Sequence, residues 1–362
     1  MYGANKLLQH YAAIRAIASG SHVAPVHVQL IISDLCNQSC SFCAYRMEGY
    51  PSNLWFGIEG KDGQRNNNPP RFIPTDKALE VVADCAAMGV KAIQFTGGGE
   101  PTVHPDHEAI VRSCLEAGME AAVVSNGIRW KPSLIELLAR ATWVRVSLDA
   151  GNPATYARIR SVSASQFELA CQHVNALVEL KRRSGSAVVI GTSFIVTHDN
   201  WMEIDEAAGL AERLGVDNFR IAAVFQPAGR AYFEKFYEQA ESLCRQAAQR
   251  SRDGFRVVDM FTQRCDDLQQ GSPEYSHCGY QYLTTYIAGD QNVYRCCNTS
   301  YNPRGLLGSI KSNSFKELWM SQETQDKLAG FDARGCDRCA FNAQNRLFNI
   351  LAAPVPAHGN FT

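Results

Sequence analysis

Three closely spaced cysteines are the residues of this chain whose types and spacing carry the most distinctive chemistry. Cys36, Cys40 and Cys43 form a C-x3-C-x2-C motif directly after an apolar, strand-like run at residues 27–33. Thiolates from one compact loop can hold an iron–sulfur cluster, and three of them leave the last iron of a 4Fe–4S cluster without a protein ligand. A structural zinc site is the alternative on this motif alone, although zinc usually takes four protein ligands there.

A glycine-rich segment with one carboxylate is the second candidate. Gly97, Gly98, Gly99 and Glu100 follow the apolar run at residues 90–96. Glycines let a backbone approach a ligand closely, and the carboxylate beside them can accept hydrogen bonds from an ammonium group. By itself, however, a glycine triplet indicates only a turn.

Short polar side chains end the next two strand-like runs. Ser125 and Asn126 follow residues 120–124, and Ser147 and Asp149 end residues 143–149. Such side chains can hydrogen-bond hydroxyl and carboxylate groups of a ligand. Each motif alone is weak, because Ser-Asn-Gly is also an ordinary turn. Their order at successive strand ends favours one shared site.

The elements that must position these residues alternate along the chain. Strands are predicted near residues 27–33, 90–96, 120–125, 143–149, 187–196 and 217–224. Helices are predicted near residues 5–18, 75–88, 106–117, 132–140, 166–183, 201–214 and 231–250. This alternation predicts an α/β fold with a parallel sheet, and six such units fit a partial (β/α)6 TIM-like barrel. Functional residues of such barrels lie at the C-terminal ends of the strands, where the cysteine loop also lies.

The barrel is expected to be one of four parts of the chain. We predict an N-terminal helix in residues 1–26, the barrel in 27–250, a small β-hairpin/helix module in 251–345 and a tail in 346–362. Within the barrel, the polar and aromatic stretch 44–73 is longer than most connections. Long loops of this kind are usually functional or disordered, so a substrate cover and a plain insertion are both open.

The C-terminal module carries a second set of cysteines. Cys278 and Cys296 flank a predicted hairpin, and Cys336 and Cys339 form a C-x2-C pair. Four cysteines suit either a zinc ribbon or an iron–sulfur cluster. Cys265 and Cys297 lie close by in sequence, and each is either a bystander, a substitute ligand or a catalytic thiol.

Composition excludes several classes of function. The 362 residues are 46% hydrophobic and carry a net charge of −1, so no bulk positive charge attracts nucleic acid or an anionic membrane. We expect no membrane association, because no apolar run is long enough to span a bilayer. Thirteen cysteines without an export signal indicate a cytoplasmic protein that uses cysteine for metal binding or core packing.

Taken together, these motifs resemble the radical S-adenosylmethionine (SAM) superfamily, in which the cysteine loop has an aromatic residue before its last cysteine, as Phe42 is here. The C-terminal pattern resembles the twitch module, a shortened SPASM domain. The resemblance implies two 4Fe–4S clusters, one at Cys36, Cys40 and Cys43 and an auxiliary one at Cys278, Cys296, Cys336 and Cys339. It also implies a SAM site, in which the glycine segment holds the amino group and Arg160 meets the carboxylate. The implied cofactor contacts are Phe42, Gly98, Gly99, Glu100, Ser125, Asn126, Ser147, Asp149, Arg160 and Ile195.

The implied activity is reductive cleavage of SAM to a 5′-deoxyadenosyl radical, which abstracts a hydrogen atom from substrate. A small polar substrate (a sugar, cyclitol, nucleotide or amino-acid conjugate) is favoured, since few residues precede the first strand to bind a leader peptide. The net reaction would be oxidation, epimerisation or rearrangement. Modification of a ribosomal peptide or a nucleobase is the alternative, and a non-catalytic zinc scaffold a remote one. A flavodoxin or ferredoxin is the expected electron donor. His198, Asp199 and Arg145 are candidate catalytic residues, without a choice among them.

Overall fold

One mixed sheet organises the chain. The computed structural model describes residues 3–47, 54–57 and 68–354, and in them the sheet has ten strands. The strands are β1 (His27–Leu30), β2 (Ala92–Phe95), β3 (Glu120–Ser125), β4 (Trp143–Ser147), β5 (Val189–Val196), β6 (Asn218–Ala223), β7 (Arg256–Asp259), β8 (Thr284–Ile287), β9 (Asn292–Tyr294) and β10 (Leu306–Ser309). Their spatial order is β10-β9-β8-β1-β2-β3-β4-β5-β6-β7.

The first seven strands are parallel, as expected of strands that alternate with helices. Helices cover the outer face of the sheet, and β5 is accordingly buried along nearly its whole length. The helices are α1 (Tyr11–Ala18), α2 (Thr75–Met88), α3 (His107–Glu116), α4 (Pro132–Leu138), α5 (Pro153–Arg160), α6 (Ser165–Ser184), α7 (Ile204–Leu214), α8 (Tyr237–Ala248), α9 (Phe261–Gln270), α10 (Tyr280–Leu283), α11 (Phe315–Met320), α12 (Gln322–Ala329) and α13 (Asn342–Ala352).

These elements confirm the predicted partial barrel. Each of the six predicted strands is present as β1 to β6, and the helices predicted between them appear within three residues of their expected ends. The helix predicted at 231–250 is present as α8 but begins six residues later, at Tyr237. The parallel pairing places the C-terminal ends of all six strands at one mouth of the barrel. The cysteine loop, the glycine segment and the polar strand ends therefore meet there.

The expectation that the barrel pattern stops at residue 250 was wrong. Strand β7 adds a further parallel strand beside β6, in register from Asn218 with Arg256 to Ile221 with Asp259. At the opposite edge, β8 pairs in parallel with β1, and the hairpin β8–β9 continues the same sheet. The C-terminal module is thus built onto both edges of the barrel sheet rather than beside it.

The predicted tail at residues 346–362 also needs correction. Residues 342–352 form α13, which packs against the N-terminal α1 through a cluster that includes Ile14, Ile17 and Phe348. Arg15 donates from Nη1 to the carbonyls of Ala352 and Ala353, at 3.1 and 2.9 Å, and so satisfies acceptors that the end of α13 leaves open. The predicted N-terminal helix is present as α1.

No helix within the described parts of the chain is long and apolar enough to cross a membrane.

Candidate active site

A cavity of about 490 Å³ lies at the barrel mouth, between the strand ends and the C-terminal module. All residues predicted to contact cofactor line it, together with the three cysteines of the first motif. These are Cys36, Cys40, Phe42, Cys43, Gly98, Gly99, Glu100, Ser125, Asn126, Ser147, Asp149, Arg160 and Ile195. Residues more than 150 positions apart therefore face one space, as the parallel topology requires.

The cysteine loop is fixed on the C-terminal end of α5. The last carbonyls of a helix lack intrahelical partners, and here Ser39 and Ser41 donate their backbone N–H groups to Arg160 and Ile159, at 3.0 and 2.8 Å. Gln38 adds a side-chain contact, because its Oε1 accepts from Nη1 of Arg160 at 2.6 Å. The loop therefore has a defined place before any metal binds.

The three thiols of the loop are held close together and are partly shielded from water. Burial raises the pKa of Cys36 and Cys43, and neighbouring thiols raise it further. Burial also raises the pKa of Cys40, against the opposing effect of Arg160 and Arg46. Thiolates clustered in this way are costly without a cation, so a metal group that displaces their protons would be bound favourably.

Gly99 is required by a close approach within the protein. A Cβ atom at this position would lie 2.1 Å from the carbonyl oxygen of Leu35 and 2.4 Å from that of Asp34. Two backbone hydrogen bonds hold the two segments together. Gly99 N–H donates to the carbonyl of Ser33 at 3.1 Å, and Glu100 N–H donates to the carbonyl of Leu35 at 3.0 Å. The glycine segment thus packs directly on the cysteine loop.

Gly99→Ala is therefore expected to displace the cysteine loop, because backbone atoms cannot move aside as a flexible side chain can. Overpacking of this kind costs about 1 to 3 kcal/mol or more. Urea unfolding and iron content should both show the loss, with iron falling at the first site. Gly3→Ala is the matched control, since no heavy atom lies within 4 Å of a Cβ there; equal behaviour of the two variants would contradict the expected displacement.

Glu100 is buried, yet its carboxylate is well supplied with donors. Oε1 accepts from the Thr102 hydroxyl at 2.7 Å and the Ser125 hydroxyl at 2.8 Å, and Oε2 accepts from the backbone of Asn126 at 2.7 Å. Burial raises the pKa of Glu100, and these hydrogen bonds oppose the rise. A second lone pair of Oε2 remains open to a cationic donor such as an ammonium group.

Ser125 has no hydrogen-bonding capacity left for a ligand. Its hydroxyl donates to Glu100 and accepts from the backbone of Gly127 at 3.0 Å and from Nε1 of Trp130 at 3.1 Å. A hydroxyl offers one donor and two acceptor sites, so all are occupied. Ser125 therefore positions the Glu100 carboxylate, although it also lines the cavity.

Arg160 and Asp149 form a buried ion pair beside the thiols, with side chains 4% and 2% exposed. Asp149 lies in the left-handed region at φ 57°, and its Oδ1 accepts from the backbone of Ile195 at 2.8 Å. Nη2 of Arg160 also donates to the carbonyl of Ser147 at 2.7 Å. Its buried Nε has no hydrogen-bond partner among the described residues.

Arg160→Met is expected to destabilise the protein by about 3 to 5 kcal/mol, because Asp149 would remain as an uncompensated buried charge. The variant Arg158→Met is a matched control on the same helix. Arg158 pairs with Asp199 at the surface, where its side chain is 53% exposed, so its loss should cost about 1 kcal/mol or less. Urea unfolding measures both. A similar cost for the two variants would show that burial of the Arg160 pair carries no special penalty.

The three candidate catalytic residues do not line the cavity. Asn200 fixes a turn after β5 by accepting from the backbone of Thr197 at 2.7 Å, and this turn directs His198 outward to Tyr232, with its side chain 64% exposed. Asp199 pairs with Arg158 outside the cavity. Arg145 shares the inner face of β4 with Ser147 but lies one pleat lower, beneath the cavity and over the ring of Trp143.

The second cysteine set converges as the first does. Cys278, Cys296, Cys336 and Cys339 line one small cavity in the C-terminal module. Burial raises the pKa of Cys278, and the other three thiols raise it further, which reflects their proximity. Within the described residues, no group of three His, Cys, Asp or Glu side chains surrounds a single metal ion, so the fit to a cluster rests on this shared cavity and on the cysteine pattern.

The structure separates the two cysteines whose roles the sequence left open. Cys265 is fully buried in the hydrophobic core. The thiol of Cys297 borders the large cavity, whereas that of its neighbour Cys296 borders the small one. Asn298 and Phe341 line both cavities, so the second cysteine set lies next to the large cavity.

A buried polar cluster joins the cysteine loop to the C-terminal module. Asp34 accepts from the hydroxyl of Tyr301 and from Nε of Arg71 at 2.8 Å. Burial raises the pKa of Asp34 to about 7. Arg71 also donates to the carbonyl of Phe56 at 2.6 Å, so residues 54–57 of the long loop are held here. Residues 48–53 and 58–67, which carry most of the predicted cover, lie outside the described residues.

Several cavity residues were not singled out from the sequence. Arg220 on β6 could have been noticed, because a charge in an otherwise apolar strand is unusual. Arg264, Phe225 and Phe341 carry no such signal, since each reaches the cavity through long-range packing. Arg220, Phe225, Arg264 and Phe341 line the same cavity as Cys297, which the sequence had already singled out.

The fold and site define an enzyme class that binds a cluster and an organic ligand at the mouth of a partial barrel. Residues 30–211 match the model of the Radical SAM superfamily, and the chain belongs to that superfamily. Residues 278–340 match the SPASM iron-sulfur cluster-binding domain. The protein is therefore a radical SAM enzyme whose cofactors are SAM and two 4Fe–4S clusters, and the donor sets described above fit these groups.

Relatives with different substrates share most of the chain. It is 26% identical to the AdoMet-dependent heme synthase of Methanosarcina barkeri over 285 residues, which are 72% of this chain and 77% of the relative. It is 27% identical to the mycofactocin maturase MftC of Mycolicibacterium smegmatis over 325 residues, which are 87% and 76% of the two chains. In structure it resembles Streptococcus suis SuiB bound to precursor peptide SuiA, with a TM-score of 0.61, 14% identity and coverage of 89% and 70%.

Proposed function

We propose that this radical SAM enzyme modifies a small polar molecule in the cavity between the barrel mouth and the C-terminal module. The supporting observation is that this single cavity is lined by the first three cysteines and by the predicted SAM contacts, and that it shares two lining residues, Asn298 and Phe341, with the cavity of the second cysteine set. When bound, the reduced first cluster and SAM supply a 5′-deoxyadenosyl radical that abstracts a hydrogen atom from substrate.

In this proposal the chain's own residues orient SAM and exclude water. Cys36, Cys40 and Cys43 hold the first cluster. Glu100 accepts hydrogen bonds from the SAM amino group through Oε2, while Ser125 holds the Glu100 carboxylate in place. Arg160 lines the same cavity beside the first three cysteines and meets the SAM carboxylate. The backbone N–H of Ile195 is already bonded to Asp149, so Ile195 offers apolar surface to the adenine.

The second cluster is assigned to electron transfer or structural support. Cys278, Cys296, Cys336 and Cys339 supply four thiolates, which leave no iron open to substrate. A flavodoxin or ferredoxin is the proposed reductant of the first cluster. The catalytic acid or base is not among His198, Asp199 and Arg145 in this proposal, because none of them lines the cavity.

The test is formation of 5′-deoxyadenosine from SAM by anaerobically reconstituted, dithionite-reduced protein. Candidate sugars, cyclitols, nucleotides and amino-acid conjugates, each deuterated, are then compared for deuterium transfer into 5′-deoxyadenosine. Transfer from one of them identifies the attacked carbon. Absence of 5′-deoxyadenosine from a fully iron-loaded preparation would overturn the proposed chemistry.

Modification of a ribosomally made peptide is the second candidate. It is favoured by the similarity to a maturase, MftC, over 87% of this chain, and the fold neighbour SuiB has a structure with a precursor peptide bound. A precursor peptide that stimulates SAM cleavage, and that accepts a mass change in the same assay, would select it over a small molecule. Modification of a nucleobase is a third outcome of the same substrate screen.

A further inference from the structure

The walls of the large cavity carry more positive than negative charge. Among the described residues, its charged side chains are Arg46, Arg160, Arg220, Arg264, Glu100 and Asp149. Four guanidinium groups thus face two carboxylates in a chain whose net charge is −1. An excess of arginine over carboxylate along one concave site favours bound anions.

Two of the four arginines act on the cysteine side of the cavity. Arg160 pairs with Asp149, and Arg46 bonds to the hydroxyl of Ser39. Both also lie near enough to Cys40 to lower the pKa of its thiol against the effect of burial. Their charge is therefore balanced by Asp149 and by the thiolates of the first motif.

Arg264 is placed differently, on α9 at the side of the cavity that borders the C-terminal module. Its side chain is only 14% exposed. Nη1 donates to the carbonyl of Ala340 at 2.7 Å and lies 3.5 Å from Oδ2 of Asp267. Within the described part of the chain, neither Nε nor Nη2 has a hydrogen-bond partner. Phe225 lies against the guanidinium, with Cζ at 6.0 Å from its ring centre.

The geometry points to Arg264 as the group that binds a carboxylate or phosphate of the substrate, an inference that rests on the proposed function. The guanidinium is anchored at Nη1, and its Nε–Nη2 edge matches the two oxygens of a planar or tetrahedral oxyanion. Arg220 lines the same cavity and adds positive charge near Asp149. The substrate class is thereby narrowed from polar molecules in general to anionic ones.

The test is calorimetric titration of the reconstituted, oxidised holoenzyme with inorganic phosphate and with succinate. Saturating SAM is present, so that the anions cannot occupy the SAM carboxylate site. Dimethyl succinate is the neutral control. We expect the wild type to bind at least one of the two anions and not the ester, and Arg264→Gln to bind that anion about 10- to 100-fold more weakly. The preferred anion distinguishes a carboxylate substrate from a phosphorylated one.

Arg338→Gln is the matched control. Arg338 lies two residues before Ala340, the residue to which Arg264 donates, and itself donates to the carbonyl of Pro227 at 3.1 Å. Unlike Arg264, it lines the small cavity rather than the large one. At equal iron content it should bind the anion as the wild type does. Arg264→Lys keeps a cation but loses the two-donor edge, so it should also bind more weakly, and it serves if the glutamine variant does not retain iron.

Equal anion affinity of the wild type and the Arg264 variants would overturn the assignment, as would absence of anion binding by an iron-loaded wild type. Failure of the proposed function can be told apart from failure of the Arg264 assignment. A wild type that forms 5′-deoxyadenosine without binding anions would contradict only the role of Arg264. A wild type that binds anions through Arg264 without cleaving SAM would contradict only the proposed radical chemistry.

Discussion

Replacing Cys36, Cys40 and Cys43 together by alanine is expected to lower the iron content from about eight to about four atoms per chain and to abolish SAM cleavage. The reason is that these thiols are the only cysteines of the first motif, and they line the cavity with Glu100 and Arg160. Iron, sulfide and zinc analysis after anaerobic reconstitution measures the first effect. Chromatography of 5′-deoxyadenosine measures the second.

Cys265→Ala is the control for this triple replacement. Cys265 is fully buried in the hydrophobic core and lines neither cavity, so both clusters should persist. A triple variant that keeps about eight irons would refute the assignment of the first site. About four irons and one zinc in the wild type would instead make the second site a zinc ribbon and remove its proposed role in electron transfer.

Local sequence predicts the barrel well because each of its strands is a short apolar run followed by a helix. Strand β7 was missed for the opposite reason. Its four residues, Arg256–Asp259, have an exposed first and last position and owe their conformation to pairing with β6. On the other side of the barrel the hairpin was predicted, but its pairing with the barrel was not, because β8 joins β1 across more than 250 residues of sequence.

The candidate site was predictable to the extent that it follows from topology. Glu100, Ser125 and Asp149 come together because each ends a parallel strand. The direction of a side chain in the next loop depends on local bonds that a motif does not reveal, as the turn fixed by Asn200 shows for His198. Arg264 depends on how α9 packs, and this helix was not among those predicted.

Gly98 and Gly99 lie in the cavity as predicted, but the sequence revealed only one of the two reasons why glycine is needed there. The sequence suggested that Gly98 and Gly99 admit a ligand, and both do line the cavity. The structure adds that a Cβ at Gly99 would collide with the cysteine loop, and one at Gly98 with Phe56 and Tyr301 at 2.9 Å. These glycines therefore also couple the cysteine loop to the long loop and the C-terminal module.

The adjacent cysteines 296 and 297 give the second large prediction. Cys296→Ala should lower the iron content from about eight to about four atoms per chain, because a cubane deprived of one thiolate is expected to be lost on reconstitution. Cys297→Ala should retain about eight, because its thiol borders the large cavity rather than the small one. Iron and sulfide analysis distinguishes the variants, and each is the other's control.

This pair also tests how the two cavities are connected. Residues 296 and 297 are neighbours in the backbone, so a difference in iron content between the two variants must come from the directions of their side chains. Loss of iron in Cys297→Ala with retention in Cys296→Ala would exchange the two roles and place the second cluster against the large cavity. Loss in both variants would mean that the chain segment, rather than one thiol, holds the cluster. If only Cys296→Ala loses iron, as expected, Cys297 is a free thiol at the large cavity. Burial raises its pKa to about 12 and so keeps it protonated.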